Sequence, residues 1–176
     1  MQIYLEQITR EMDSDYYDMI GIVNQMSPNG LIGSVTERYL SAEDNYDRYF
    51  EQKSLREELI KLGYVNTKLL GIAYYDPKEQ KELLGNFNVR VLEPSYQTIS
   101  KVVVGADNII QAMHASYLGI KETPVVSVMR RVSFGNKQML DIYAEIEPDM
   151  SVSDRLNKEK WPYTYMELDE NGIVQY

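Results

Sequence analysis

In the first segment the apolar residues Leu5, Ile8, Met12, Met19, Val23 and Met26 recur at spacings of three, four or seven, with charged residues between them. That period predicts an amphipathic helix of about six or seven turns, slightly weakened by Gly21 and ended by Ser27-Pro28-Asn29-Gly30. A second helix is predicted over 31–40. Ser41, with Asp44 three residues on, reads as a cap for a third helix over 44–62. Its apolar stripe is Tyr46, Tyr49, Phe50, Leu55, Leu59 and Leu62, with Gly63 as the C-terminal stop.

The period then changes. Residues 69–75 read as a strand closed by Asp76-Pro77, and 83–91 as its partner, joined through a charged turn over 78–82. Residues 92–123 form an irregular excursion, with short helical turns around 109–117 and a turn at Gly119. Strands follow over 125–132 and 139–146, linked by a loop over 133–136. In the second of these Leu140, Ile142, Ala144 and Ile146 take one face, and Asp141, Tyr143 and Glu145 the other. A short helix over 151–160 precedes a last hairpin that starts over 163–168 and turns at Asn171-Gly172. Strands joined by short turns imply an antiparallel sheet with helices packed on it, an α+β architecture with a long N-terminal helix.

Composition narrows the function classes. A length of 176 residues suits one domain with a substantial core. The 27 acidic and 18 basic residues give a net charge of −9, which repels nucleic acid and anionic head groups, so no nucleic-acid partner is expected. There is no cysteine, which removes disulfides, thiolate metal sites and cysteine nucleophiles. No apolar run approaches the roughly 18 residues of a membrane span, and the polar opening is unlike a signal peptide. A domain held at a membrane would therefore reach it only through transmembrane helices outside these residues.

Catalytic chemistry finds little support. His114 is the single histidine, too few for a multi-histidine metal site, and its Ala-Met-His-Ala-Ser setting reads as the side of a helix. Asp141 and Glu145, four apart on a strand, would stand roughly 13 Å from each other, beyond glycosidase spacings. They read as structural or solvated carboxylates. Gly30 and Gly33 lack the Lys-Ser or Lys-Thr of a phosphate loop. Neither a metal nor another cofactor is expected, and no acid, base and nucleophile constellation points to an enzyme.

Binding chemistry is better represented. Arg130 and Arg131 interrupt an apolar strand, so alternation sends one guanidinium to each face of the sheet. An inward arginine needs an anion, supplied either by Asp141 on the neighbouring strand or by a ligand carboxylate or phosphate. The chain has 15 tyrosines, and Tyr74, Tyr75, Tyr96, Tyr117 and Tyr143 fall on strands or in the excursion. Tyrosine offers an apolar face and one hydrogen-bonding tip, suited either to half-buried packing or to a small polar ligand. The candidate ligand-binding set is Tyr74, Tyr96, Tyr117, Arg130, Asp141 and Tyr143.

Four stretches, Asn24–Asn29, Ser41–Tyr49, Ala73–Pro77 and Pro124–Val132, resemble the Cache ectodomains of Firmicutes-type sensor histidine kinases. The resemblance implies a long helix rising from the membrane, a PAS-like antiparallel sheet with a ligand pocket, and output through a transmembrane helix to a cytoplasmic kinase. It implies an extracytoplasmic location, a small-molecule ligand, a signalling and dimer helix over 1–30 and a sensor domain over 31–162. The hairpin over 163–176 then resembles the opening of a membrane-proximal module. One departure stands out: the amino-acid-binding subgroup carries an Arg next to a Trp-Tyr pair, whereas Trp161 here is followed by Pro162. The near-heptad spacing of the N-terminal stripe is compatible with a homodimer through that helix. Competing readings are an interaction ectodomain with a degenerate pocket and a cytosolic PAS-like or GAF-like regulator.

Overall fold

The computed structural model describes residues 2–85, 107–118, 125–135, 137–147, 167–168 and 174–175. Three helices come first, α1 (Gln2–Met26), α2 (Leu31–Ser41) and α3 (Asn45–Val65). Five strands follow, β1 (Leu69–Asp76), β2 (Lys81–Gly85), β3 (Ile109–His114), β4 (Val125–Ser133) and β5 (Met139–Ile146). They form one antiparallel sheet in the order β2-β1-β5-β4-β3. A separate two-stranded pair, β6 (Glu167–Leu168) with β7 (Val174–Gln175), lies where the last hairpin is expected. The fold is α+β, with the helices on one face of the sheet. None of the described helices is long and apolar enough to cross a membrane.

Period decides which side chains meet. The second half of α1 turns Met19, Ile22, Val23 and Met26 toward the sheet, where they pack with Ile72, Val128, Val132, Leu140, Ile142, Ala144 and Ile146. Fully burying one such side chain contributes roughly 1.5–3 kcal/mol. The Tyr74 hydroxyl donates to the carbonyl of Met26, satisfying one of the open acceptors at the end of α1. Lys68 reaches Asp15 at 2.6 Å and fixes the start of β1 to the middle of α1. The side chains of Leu5, Ile8 and Met12, which carry the expected dimer seam, lie outside the described residues.

The corner between α1 and α2 is close-packed. A methyl on Gly33 would stand 1.8 Å from the Ser27 carbonyl oxygen, and one on Gly30 would stand 2.3 Å from those of Asn24 and Gln25. These glycines therefore serve a backbone crossing, not a phosphate. Asp76 accepts from the amides of Lys78 and Glu79, which tightens the β1–β2 turn and starts β2 two residues earlier than expected. The part of the predicted strand beyond residue 85 lies outside the described residues, as do the helix over 151–160 and Trp161.

Four expectations are corrected. The helical turns around 109–117 are instead the edge strand β3, because Ile109-Ile110-Gln111 pairs in register with Met129, Val128 and Ser127; sheet pairing outweighs a weak local signal. Gly63 does not stop α3, which continues to Val65 and is capped by Asn66, whose amide nitrogens both donate to the Leu62 carbonyl. Its N-cap is Asp44 alone, accepting from Tyr46 and Asp47, since Ser41 still belongs to α2. The apolar stripe of α3 also divides: Leu55, Leu59 and Leu62 are buried, whereas Tyr46, Tyr49 and Phe50 stand in solvent.

Candidate functional site

The strand β5 lies between β1 and β4, and its alternation holds as read from sequence. Leu140, Ile142, Ala144 and Ile146 join the helix-side core. Asp141, Tyr143 and Glu145 occupy the far face, and all three are fully buried. Around them on that face the register sets Ala73 and Tyr75 of β1 and Ser127, Met129 and Arg131 of β4. The far face is thus a second interior, with polar groups built into it.

Two separate hydrogen-bond systems use the two carboxylates. Arg131 lies directly opposite Asp141 and binds it bidentately, Nε to Oδ1 at 2.7 Å and Nη2 to Oδ2 at 2.9 Å. The internal ion pair anticipated for one arginine is therefore present. Glu145 instead accepts from the Ser116 hydroxyl at 2.6 Å, the amides of Tyr117 at 2.6 Å and Leu118 at 3.2 Å, and the Tyr143 hydroxyl. The segment after β3 is thereby tied to the centre of the sheet. Burial first, and the adjacent Glu145 carboxylate second, push the Tyr143 phenol well above its ordinary value, so it remains a proton donor.

His114 closes the far end of this system. Its Nδ1 lies 2.7 Å from the Ala115 carbonyl, which can only accept, so Nδ1 carries the proton in the neutral ring. Nε2 then accepts from the Ser127 hydroxyl at 2.7 Å. The ring stacks on Tyr117 with centroids 4.5 Å apart, Tyr117 lies 6.2 Å from Tyr143, and Tyr143 lies 6.4 Å from Tyr75. A row of four rings therefore crosses the far face. Burial holds the imidazole below its ordinary value, outweighing the Ala115 hydrogen bond and the Glu145 charge, which both act upward. His114 is on a strand and inside this network, not on a helix side as the local sequence suggests.

Gln111 donates to the Tyr117 hydroxyl at 2.9 Å, while its buried Oε1 has no hydrogen-bond partner among the described residues. An acceptor buried in this way ordinarily has one, so Oε1 offers a point at which a ligand donor would be met. Chemically, the cluster joins aromatic faces to a small number of directional polar groups, which suits reversible binding of a small polar organic molecule. Among the described residues no group of three or more histidine or carboxylate side chains is placed to hold a metal ion.

The residues singled out in the sequence do not form one group. Tyr117, Asp141 and Tyr143 share the far face. Tyr74 packs in the helix-side core, and burial pushes its phenol up. Arg130 is also on the helix side, donating through Nη1 to Asn24 Oδ1 at 2.9 Å and Ser27 Oγ at 3.3 Å. Tyr96 lies outside the described residues. Gln111, His114, Ser116, Ser127, Arg131 and Glu145 complete the far-face network without having been singled out as binding residues. Reading 109–114 as a strand would have found Gln111, because alternation from Ile110 sends it to that face. The sequence matches no protein-family model and no curated protein.

Proposed function

We propose that this chain is the extracytoplasmic ligand-sensing domain of a membrane-bound sensor histidine kinase of the Cache type, binding a small polar molecule on the far face of its sheet. The observation that carries the reading is the far-face network itself. The segment 116–118 is held on an interior sheet face by a buried carboxylate, and among the described residues no donor meets the buried Gln111 acceptor. Interiors rarely accommodate such groups without a use for them. The fold supports the same reading, since an antiparallel sheet with a long helix on one face is what a PAS-like sensor requires.

Output in this reading passes through β4. Arg131 binds on the far face, and its neighbour Arg130 binds the end of α1 on the other, so a shift of β4 at the ligand side moves the helix contact as well. Such a helix displacement is an established way for receptors to switch.

The test is a thermal-shift screen of the chain against sugars, carboxylates, amino acids and short peptides. A ligand that binds only the folded state must raise the melting temperature. The expected outcome is at least one compound giving a rise of several degrees, lost in Gln111→Leu and Tyr117→Ala and retained in Arg38→Ala, a change on the outer helices. Binding that survives both far-face substitutions would reject the site. The membrane part is tested in the gene, where apolar segments of about 20 residues should flank the domain. A second reading, an interaction ectodomain with a filled pocket, draws on the complete burial of Tyr75 and Tyr143; a panel without any shift would favour it.

A further inference from the structure

The outer side of α3 carries a pattern that its own fold does not use. Tyr46, Phe50, Lys53, Glu57, Ile60 and Tyr64 recur at alternating steps of four and three, the spacing of a coiled-coil seam. At about 100° per residue these six positions centre roughly 180° from Leu55, Leu59 and Leu62, the residues that α3 buries against the protein body. Tyr46 is 71% exposed, Phe50 50%, Ile60 37% and Tyr64 82%, and Lys53 and Glu57 are exposed as well. Tyr46 and Phe50 instead cover each other, with ring centroids 4.6 Å apart. Isolated exposed apolar residues need no explanation, but two exposed apolar pairs, Tyr46 with Phe50 and Ile60 with Tyr64, placed in seam register on either side of an opposite-charge pair do.

We infer that this stripe is a self-complementary interface, by which α3 packs antiparallel against α3 of a second copy of the chain about a two-fold axis. The order of residues along the stripe selects that occupant and that direction. In an antiparallel pair centred at Leu55, Tyr46 meets the partner's Tyr64, Phe50 meets the partner's Ile60, and Lys53 meets the partner's Glu57. Each layer repeats symmetrically on the other side of the axis, as a two-fold interface requires. Aromatic and aliphatic residues fill the outer layers, and the two central layers are opposite charges. In a parallel pair Lys53 would face its own copy and so would Glu57, placing like charges in the seam. A lysine–glutamate pair at seam positions adds little stability of its own, but it sets register and direction. Among the described residues neither side chain is held by an ion pair within the chain. The inference stands apart from the sensory reading and from any dimer through α1.

The test is sedimentation velocity over a range of concentrations on the whole 176-residue chain and its charge variants, with circular dichroism confirming that each is folded. The expected result is a reversible dimer that weakens with added salt. Lys53→Glu and Glu57→Lys should each weaken it by at least about tenfold, because each sets like charges face to face. The double exchange should recover most of the wild-type affinity, and Ile60→Asp should abolish association. A chain that stays monomeric at hundreds of micromolar, single exchanges without effect, or a double exchange that fails to recover would each overturn the inference. Direction is read by oxidative cross-linking, since the chain has no cysteine of its own. A mixture of Lys53→Cys and Glu57→Cys should yield chiefly the mixed dimer; chiefly like-with-like dimers would overturn it.

Discussion

Among the described residues the groups that donate to Glu145, the Ser116 and Tyr143 hydroxyls and the amides of Tyr117 and Leu118, are all neutral, so oriented dipoles hold the carboxylate. Glu145→Gln keeps the shape but replaces one acceptor oxygen with a donor that faces other donors. We expect a loss of about 2–4 kcal/mol from the groups left unsatisfied, read as a lower urea midpoint; an unchanged midpoint would mean that the carboxylate does not hold residues 116–118. His114 gives a pH signature of defined sign. Its folded value is lowered, so the unfolded chain takes up a proton near the ordinary 6.5 while the folded chain does so only at lower pH. Its contribution is therefore complete above 6.5 and is lost as pH falls toward the folded value. Melting temperatures between about pH 5 and 8 should decline on the acid side, and His114→Gln should flatten that part of the decline.

At the scale of elements, the α1–α2 corner and the outer face of α3 show how packing assigns meaning to residues that look alike in sequence. Gly21 and Gly33 are both helical glycines. Replacing Gly21 with alanine meets nothing within 4 Å, so helix propensity decides and the change should stabilise by about 0.5–1 kcal/mol. Replacing Gly33 drives a methyl to 1.8 Å from the Ser27 carbonyl, so strain decides and the change should destabilise by about 1–3 kcal/mol. Chemical denaturation of the two variants checks both signs. In α3 the expected apolar stripe joins two faces: at about 100° per residue Tyr46, Tyr49 and Phe50 lie across the helix from Leu55 and Leu59, and only the leucines reach the core. Hydrophobic pattern identifies the helix, while the side on which neighbours lie determines which of its apolar residues are covered.

For the whole molecule, the sheet separates two interiors. Among the described residues the buried helix-side core is apolar and mainly aliphatic, with Tyr74 and Phe134 among its members, and the far face gathers the ring row, the Arg131–Asp141 pair and Glu145. With β5 paired on both sides, its amides can exchange only when β1 or β4 is also released. Hydrogen exchange should therefore be slowest in β5 and close to the global rate, with the edge strands β2 and β3 opening earlier at lower cost. Fast exchange in β5 would contradict a cooperative sheet. A ligand on the far face should slow exchange in β3 and residues 115–118 before it affects β2.

Period and turn chemistry alone carried the long helix, the bounds of β5, its two-faced alternation and the antiparallel class, because each depends on residues close in the chain. The carboxylate partner of an arginine in β4 was also legible, since strands joined by a short turn put Arg131 within reach of Asp141. Only the tertiary structure decided that Ile109–His114 is a strand, because its register comes from β4, which follows it after a gap in sequence. The same holds for the division of the candidate residues. Arg130 and Tyr143 look equally inward in a pattern, but the helices cover one face and not the other, and that choice is made by packing between elements distant in sequence. The far-face network depends on that choice, which is why Gln111, His114 and Glu145 became visible together only once the sheet was assembled.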